Sequence, residues 1–322
     1  MSRPRPRPAG IGPLTPRRDG PLPRAPMRLH SVPFVLLLAL LAASTALAGS
    51  AGCAPAQPTP APPSGIARTA LAALEWDSLA APGFTTYVQS GSSPAAHADE
   101  LHERTGDALR HALDLLGEEA YPAHLRVFYV GSRDEMTPLT GGRSTGHTDA
   151  PAHAVALVEN ESWRAFTRHE VMHAVSLLLW GHPGGAEDAP RDSAAARAWR
   201  RGGWLREGIA AAAEDRCGPY ANRGVAAAMQ AEGALIPFEA LTGAFYEQDD
   251  LAAYLQAGSL VGYLLATYGR APFRALWRSG SVEDAYGKPA TAVEAEWATW
   301  LRATPSEARP ESVGALRGRG CG

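Results

Sequence analysis

The chain has 322 residues, 45% of them hydrophobic and 20% charged, with a formal net charge of −3 and three cysteines. That is enough apolar material for one compact unit of about 240 residues, and the charge balance gives no reason to expect a nucleic-acid partner. Basic residues do crowd the N-terminus (Arg3, Arg5, Arg7, Arg17, Arg18, Arg24, Arg28), but they sit among prolines ahead of an apolar segment, the layout of a targeting signal.

Residues 34–43 are an unbroken apolar run. Such a run is too short to cross about 30 Å of hydrocarbon, so it reads as a signal-peptide core, with Met27 and Arg28 ahead of it and Met1 or Met27 as the start. Ser50-Ala51-Gly52-Cys53 resembles a bacterial lipobox, with Ser50 where leucine is commonest. The resemblance implies an exported chain acylated at Cys53 and anchored to a membrane of the cell envelope. Cleavage near Ala48 with plain secretion is the alternative. Residues 1–53 are then the signal region and the proline-rich residues 54–65 a tether. Once Cys53 carries lipid, Cys217 and Cys321 remain. Export to an oxidising compartment offers them a disulfide that would staple the C-terminal tail to the end of a central helix; two free thiols are the alternative.

After the tether, residues 66–79 read as an amphipathic helix and 84–88 as a strand. Pro94 opens a long helix to Leu116, with Leu101, Ala108, Leu109, Ala112 and Leu115 on its buried side and Gly117 as its stop. His97, His102 and His111 on that helix share no face with a carboxylate at ligand spacing and read as surface residues. Residues 125–130 form the best strand. Ser132 and Glu135 then make a capping box, 141–149 a polar loop, and 153–158 a third strand that could offer its edge to a substrate backbone. Glu159 and Asn160 are either a strand-to-helix turn or an echo of the G-x-M-E-N element with which aminopeptidases hold a free α-amino group, lacking its glycine and methionine.

Residues 168–174 contain the pattern H-E-x-x-H. His169 and His173, four apart on a helix, lie about 40° apart around its axis and one turn along it, so both reach one metal ion. Glu170 projects beside them as a base for a water. Trp163, Phe166, Val171, Ala174, Val175 and Leu177 to Leu179 set this helix against a core, and Gly181 and Pro183 end it. Residues 181–203 read as a flap with a short helical stretch at 193–201. The next helix, from Trp204 to Glu214, places Glu207 and Glu214 on one face. A third ligand is needed from such a second helix, and its small Ala and Gly residues permit close approach.

His169-Glu170-x-x-His173 followed by Trp204-Leu205-Arg206-Glu207-Gly208-Ile209-Ala210 resembles the gluzincin metallopeptidases, and in size the small bacterial peptidase-MA-like proteins. The resemblance implies Zn2+ held by His169, His173 and Glu207, and Glu170 as general base. Two departures stand out. The spacer between the motifs is longer than in the aminopeptidases, and Ala211 replaces an aspartate that orients a ligand in thermolysin-like members, so Glu214 or Asp215 stands in for it. Tyr254, on a helix face with Gly258 and Val261, resembles the tyrosine that donates to the oxyanion in the aminopeptidase branch; a core aromatic is the alternative. Metzincin geometry is excluded because Ser176 and Leu179 occupy its required glycine and histidine positions. His182 and Glu187 are the next candidates for third ligand.

Helices over 220–232, 249–268, 271–278 and 290–302 follow, and residues from 304 onward read as a loose tail. The expected fold is α+β. A small mixed β-sheet with helices (66–161) precedes a mainly helical metal-binding part (162–303), together a gluzincin-like catalytic domain. The implied activity is zinc-dependent hydrolysis of peptide bonds in a peptide or protein substrate. A surface lipoprotein that binds without turnover on the same scaffold is the rival.

Overall fold

The computed structural model describes residues 65–185, 201–319 and 321, all within the unit Pro58–Gly322. The signal region, Cys53, all but the last residue of the tether, Glu187 and nearly all of the expected helical stretch at 193–201 lie outside the described residues. The described chain enters on Gly65–Ala73 (α1) and turns into a hairpin, Trp76–Ala81 (β1) and Phe84–Gln89 (β2). The helix expected over 66–79 therefore stops early. Pro82 and Gly83, the latter at φ 87°, make a tight turn that gives residues 76–81 a strand partner, from Trp76 opposite Gln89 to Ala81 opposite Phe84. Helix propensity yields here to a paired ladder.

A 3-10 turn at Ser93–His97 leads into Ala98–Leu116 (α2), closed by Gly117 in the left-handed conformation. Leu116 is buried there and Leu115 only half-buried. Leu125–Val130 (β3) is buried at all six positions because it runs parallel to a neighbour on each side, which explains its continuous apolar sequence. Ser132 caps Arg133–Thr140 (α3), its hydroxyl oxygen accepting from the Glu135 amide at 3.4 Å.

The polar loop expected over 141–149 contains a strand, Gly146–Asp149 (β4), antiparallel to Ala154–Val158 (β5). The sheet order is β1-β2-β3-β5-β4, so β5 is interior, and the edge on that side belongs to β4. Alternation sorts the two faces: Phe128, Val130, Ala154, Ala156 and Val158 pack with α1 and α3. Leu125, Val127, Tyr129, Val155 and Leu157 face the larger core, shared with α2 and Thr167–Trp180 (α4).

Beyond α4 the described chain is helical: Gly203–Glu214 (α5), Asn222–Ala231 (α6), Phe238–Gly243 (α7), Asp250–Tyr268 (α8), Arg270–Ser279 (α9), Val282–Tyr286 (α10), Ala290–Arg302 (α11) and Val313–Arg319 (α12). Sheet first and helices after, the fold is α+β. The small residues of α5 serve its crossing with α8. A Cβ on Gly208 would lie 2.8 Å from Val261 Cγ2 and 3.1 Å from the Ala257 oxygen, and one on Gly258 2.9 Å from Ala211 Cβ. The tail is not loose. Val313 and Leu316 are buried in one cluster with Val225 and Met229, and Cys321 is disulfide-bonded to Cys217 across 104 residues. No described helix is long and apolar enough to cross a membrane.

Candidate metal centre

Helix α4 begins without a side-chain cap of its own, since Phe166 stands at the N-cap. Glu214, at the end of α5, supplies one: its Oε2 accepts from the amides of Arg168 at 3.1 Å and His169 at 3.4 Å. A carboxylate on the first amides also complements the helix dipole. Arg216 Nε holds the other Glu214 oxygen at 2.8 Å, and Arg216 Nη1 reaches the Cys321 carbonyl at 3.2 Å. Glu214 thus acts on the main chain of the histidine helix. Asp215 instead accepts from the Asn222 amide at the start of α6.

One turn apart on α4, His169 and His173 bring their Nε2 atoms to 3.1 Å. Glu207 Oε2, from α5, lies 3.1 Å from His173 Nε2 and 3.6 Å from His169 Nε2. An ion about 2.0–2.1 Å from each of three tetrahedral ligands separates them by about 3.3 Å, so these spacings fit. The three residues form a group able to hold a metal ion. His173 and Glu207 are buried and His169 half-buried. Burial opposes the charge on Glu207, but the imidazoles of His173 and His169 outweigh it and hold the carboxyl well below its usual range. For His169 burial likewise opposes protonation, yet the hydrogen bond to Glu207 and the charges of Glu170, Glu207 and Glu214 leave its pKa raised. A proton and a metal ion therefore compete for that nitrogen.

Glu170 is half-buried beside this trio and held by β4. The Thr148 hydroxyl lies 2.7 Å from Glu170 Oε2 and 2.9 Å from its main-chain oxygen, so its one proton is shared between acceptors of the same residue. Two residues earlier, on the same face of the strand, Gly146 leaves room for the carboxylate: a Cβ there would lie 2.3 Å from Oε1.

Tyr254 on α8 stacks on His169, with ring centroids 5.9 Å apart and planes 29° from parallel. Burial, and then the charge of Glu207, push its phenol well above the usual range, so it stays a proton donor. Tyr246, unremarked in the sequence, donates to Glu207 Oε1 at 2.8 Å and accepts from Arg206. Its only sequence signal is an aromatic pair, Phe245-Tyr246, shortly ahead of the capping Asp249. Together these elements wall a cleft of about 1120 Å³ that includes Thr148, Trp163, Phe166, Tyr246, Leu251 and Tyr254.

His182 lines the same cleft but is outside the ligand group. Glu159 is engaged by Arg104 at 2.8 Å and by the Ala165 amide at 2.7 Å, while Asn160 donates to the Gly131 carbonyl. That pair builds a turn. His97 is exposed, and His102 stacks on Phe84 and bonds Thr86. Compared with protein-family models and with curated proteins, the chain matches none.

Proposed function

We propose that the protein is a zinc-dependent peptidase, a hydrolase of peptide bonds related in its site to the gluzincins. The observation that carries this reading is a carboxylate, Glu170, held by Thr148 beside three donors spaced for one ion. Two imidazole nitrogens and a carboxylate oxygen are a donor set that zinc takes, with a fourth position left for water. Zinc so bound would polarise the scissile carbonyl and lower the pKa of water toward about 7. Glu170 takes the proton of the attacking water and passes it to the leaving amine. Thr148 holds the Glu170 carboxylate in place for both transfers. The Tyr254 hydroxyl, in the same cleft, is the donor for the charge that develops on the carbonyl oxygen. Export, acylation at Cys53 and attachment to a membrane of the cell envelope belong to the same proposal and rest on the N-terminal sequence.

The purified protein should carry one zinc per chain by elemental analysis and cleave an internally quenched peptide library. Chelation should abolish cleavage and added zinc restore it. Absence of hydrolysis, with or without zinc, would mark a binding scaffold instead, and absence of zinc would end the peptidase reading. Within the same assay, Thr148→Val keeps the strand and its volume but removes the proton donated to Glu170. Loss of a hydrogen bond to a charged group, about 1.5 kcal/mol or more, predicts a kcat lowered about tenfold with zinc content unchanged.

A further inference from the structure

The two oxygens of the Glu207 carboxylate have different neighbours. Oε2 faces His173 Nε2 at 3.1 Å and His169 Nε2 at 3.6 Å. Oε1 accepts from the Tyr246 hydroxyl at 2.8 Å and lies 3.4 Å from Arg206 Nε, while Arg206 Nη2 donates to the Tyr246 oxygen. A carboxylate that turns both oxygens to one ion fills two coordination positions, whereas one whose second oxygen is occupied fills one. We propose, resting on the metal-site reading above, that Tyr246 is a positioning residue: its hydroxyl holds Glu207 to ligation through one oxygen and so keeps a coordination position open for the reacting water.

The surroundings are built to aim that hydroxyl. Tyr246 sits on the 3-10 turn Phe245–Glu247, anchored by buried Phe245, whose ring meets it edge-on at 5.2 Å. The Arg206 guanidinium lies 5.7 Å from the Tyr246 ring centroid. On α5, a Cβ at Gly203 would come within 2.6 Å of Tyr246 Cε2. Gly203 is not among the residues of positive φ, so its missing side chain serves the ring that rests against it and not a backbone turn. Tyr246 itself is 38% exposed, which makes a folding role a poor account of so many fitted contacts.

Cobalt(II) is the probe, because its visible absorption is intense at four-coordinate sites and weak at five-coordinate ones. Tyr246→Phe removes only the hydroxyl. Gly203→Ala keeps the hydroxyl and drives the ring off Glu207. The wild type should bind one cobalt per chain with an intense band. Both variants should bind it about 10–100-fold more weakly, the range for outer partners of metal ligands, and absorb less per bound ion. Wild-type affinity with a wild-type spectrum in Tyr246→Phe overturns the proposal. So does weakened binding with an unchanged spectrum, which would make Tyr246 a structural support only. A wild type that binds no cobalt overturns the metal-site reading itself, an outcome distinct from both.

Discussion

If the proposed function holds, Glu170→Gln should keep one zinc per chain and lose peptide hydrolysis by about 10²–10⁴-fold, the usual contribution of a positioned general base. The amide is nearly the shape of the carboxylate, so it fits the space that Gly146 leaves, and its oxygen still accepts from Thr148. What it lacks is a site for a proton. Glu170 is outside the group whose donor atoms converge, so metal content should not change. Elemental analysis paired with kcat reads both quantities at once. A variant that loses zinc together with activity would make Glu170 a ligand and leave the reaction without its base.

Glu207→Ala should give the opposite pattern, with zinc affinity falling by more than about 100-fold. That exceeds the loss expected for outer partners, because a donor within 3.1 Å of His173 Nε2 is itself removed. The same change takes the acceptor away from the Tyr246 hydroxyl and Arg206 Nε, so the metal-free protein should also lose about 1–3 kcal/mol of stability by denaturant titration. Competition with a zinc chelator measures the affinity. If the alanine variant binds zinc as the wild type does, the third ligand is another residue, and His182 in the same cleft is the first to replace.

The parts of this arrangement that were legible in the sequence are those whose periodicity and chemistry agree. The histidine helix pairs a metal-ligand spacing with buried Val171, Ala174 and Val175, and β3 is a continuous apolar run because both its neighbours are parallel. Ser132 and Gly117 marked helix ends with residues whose capping chemistry is local. What stayed hidden depends on partners distant in the chain. Gly146-His147-Thr148-Asp149 has no apolar alternation, since all four residues of this edge strand are half-buried, yet it carries the side chain that holds Glu170. Residues 76–81 include Leu79, Ala80 and Ala81, good helix formers, and become a strand only through the ladder with β2. Tyr246 acquires its role from a carboxylate 39 positions away, and two buried residues, Val313 and Leu316, are too few to announce a helix in the tail.

The glycine crossing of α5 and α8 bears on how the cleft can move. Gly208 against Val261 and Gly258 against Ala211 leave no slack for sliding, so Glu207 on one helix and Tyr254 on the other travel together. Helix α4 shares the larger apolar core with α5, through Val171, Met172 and Val175 on one helix and Leu205 and Ile209 on the other, and meets it also through polar contacts, Glu207 with the two imidazoles and Glu214 with the first amides of the helix. An ion held by His169, His173 and Glu207 would take its ligands from both α4 and α5 and so tie the histidine helix to the interlocked pair α5 and α8.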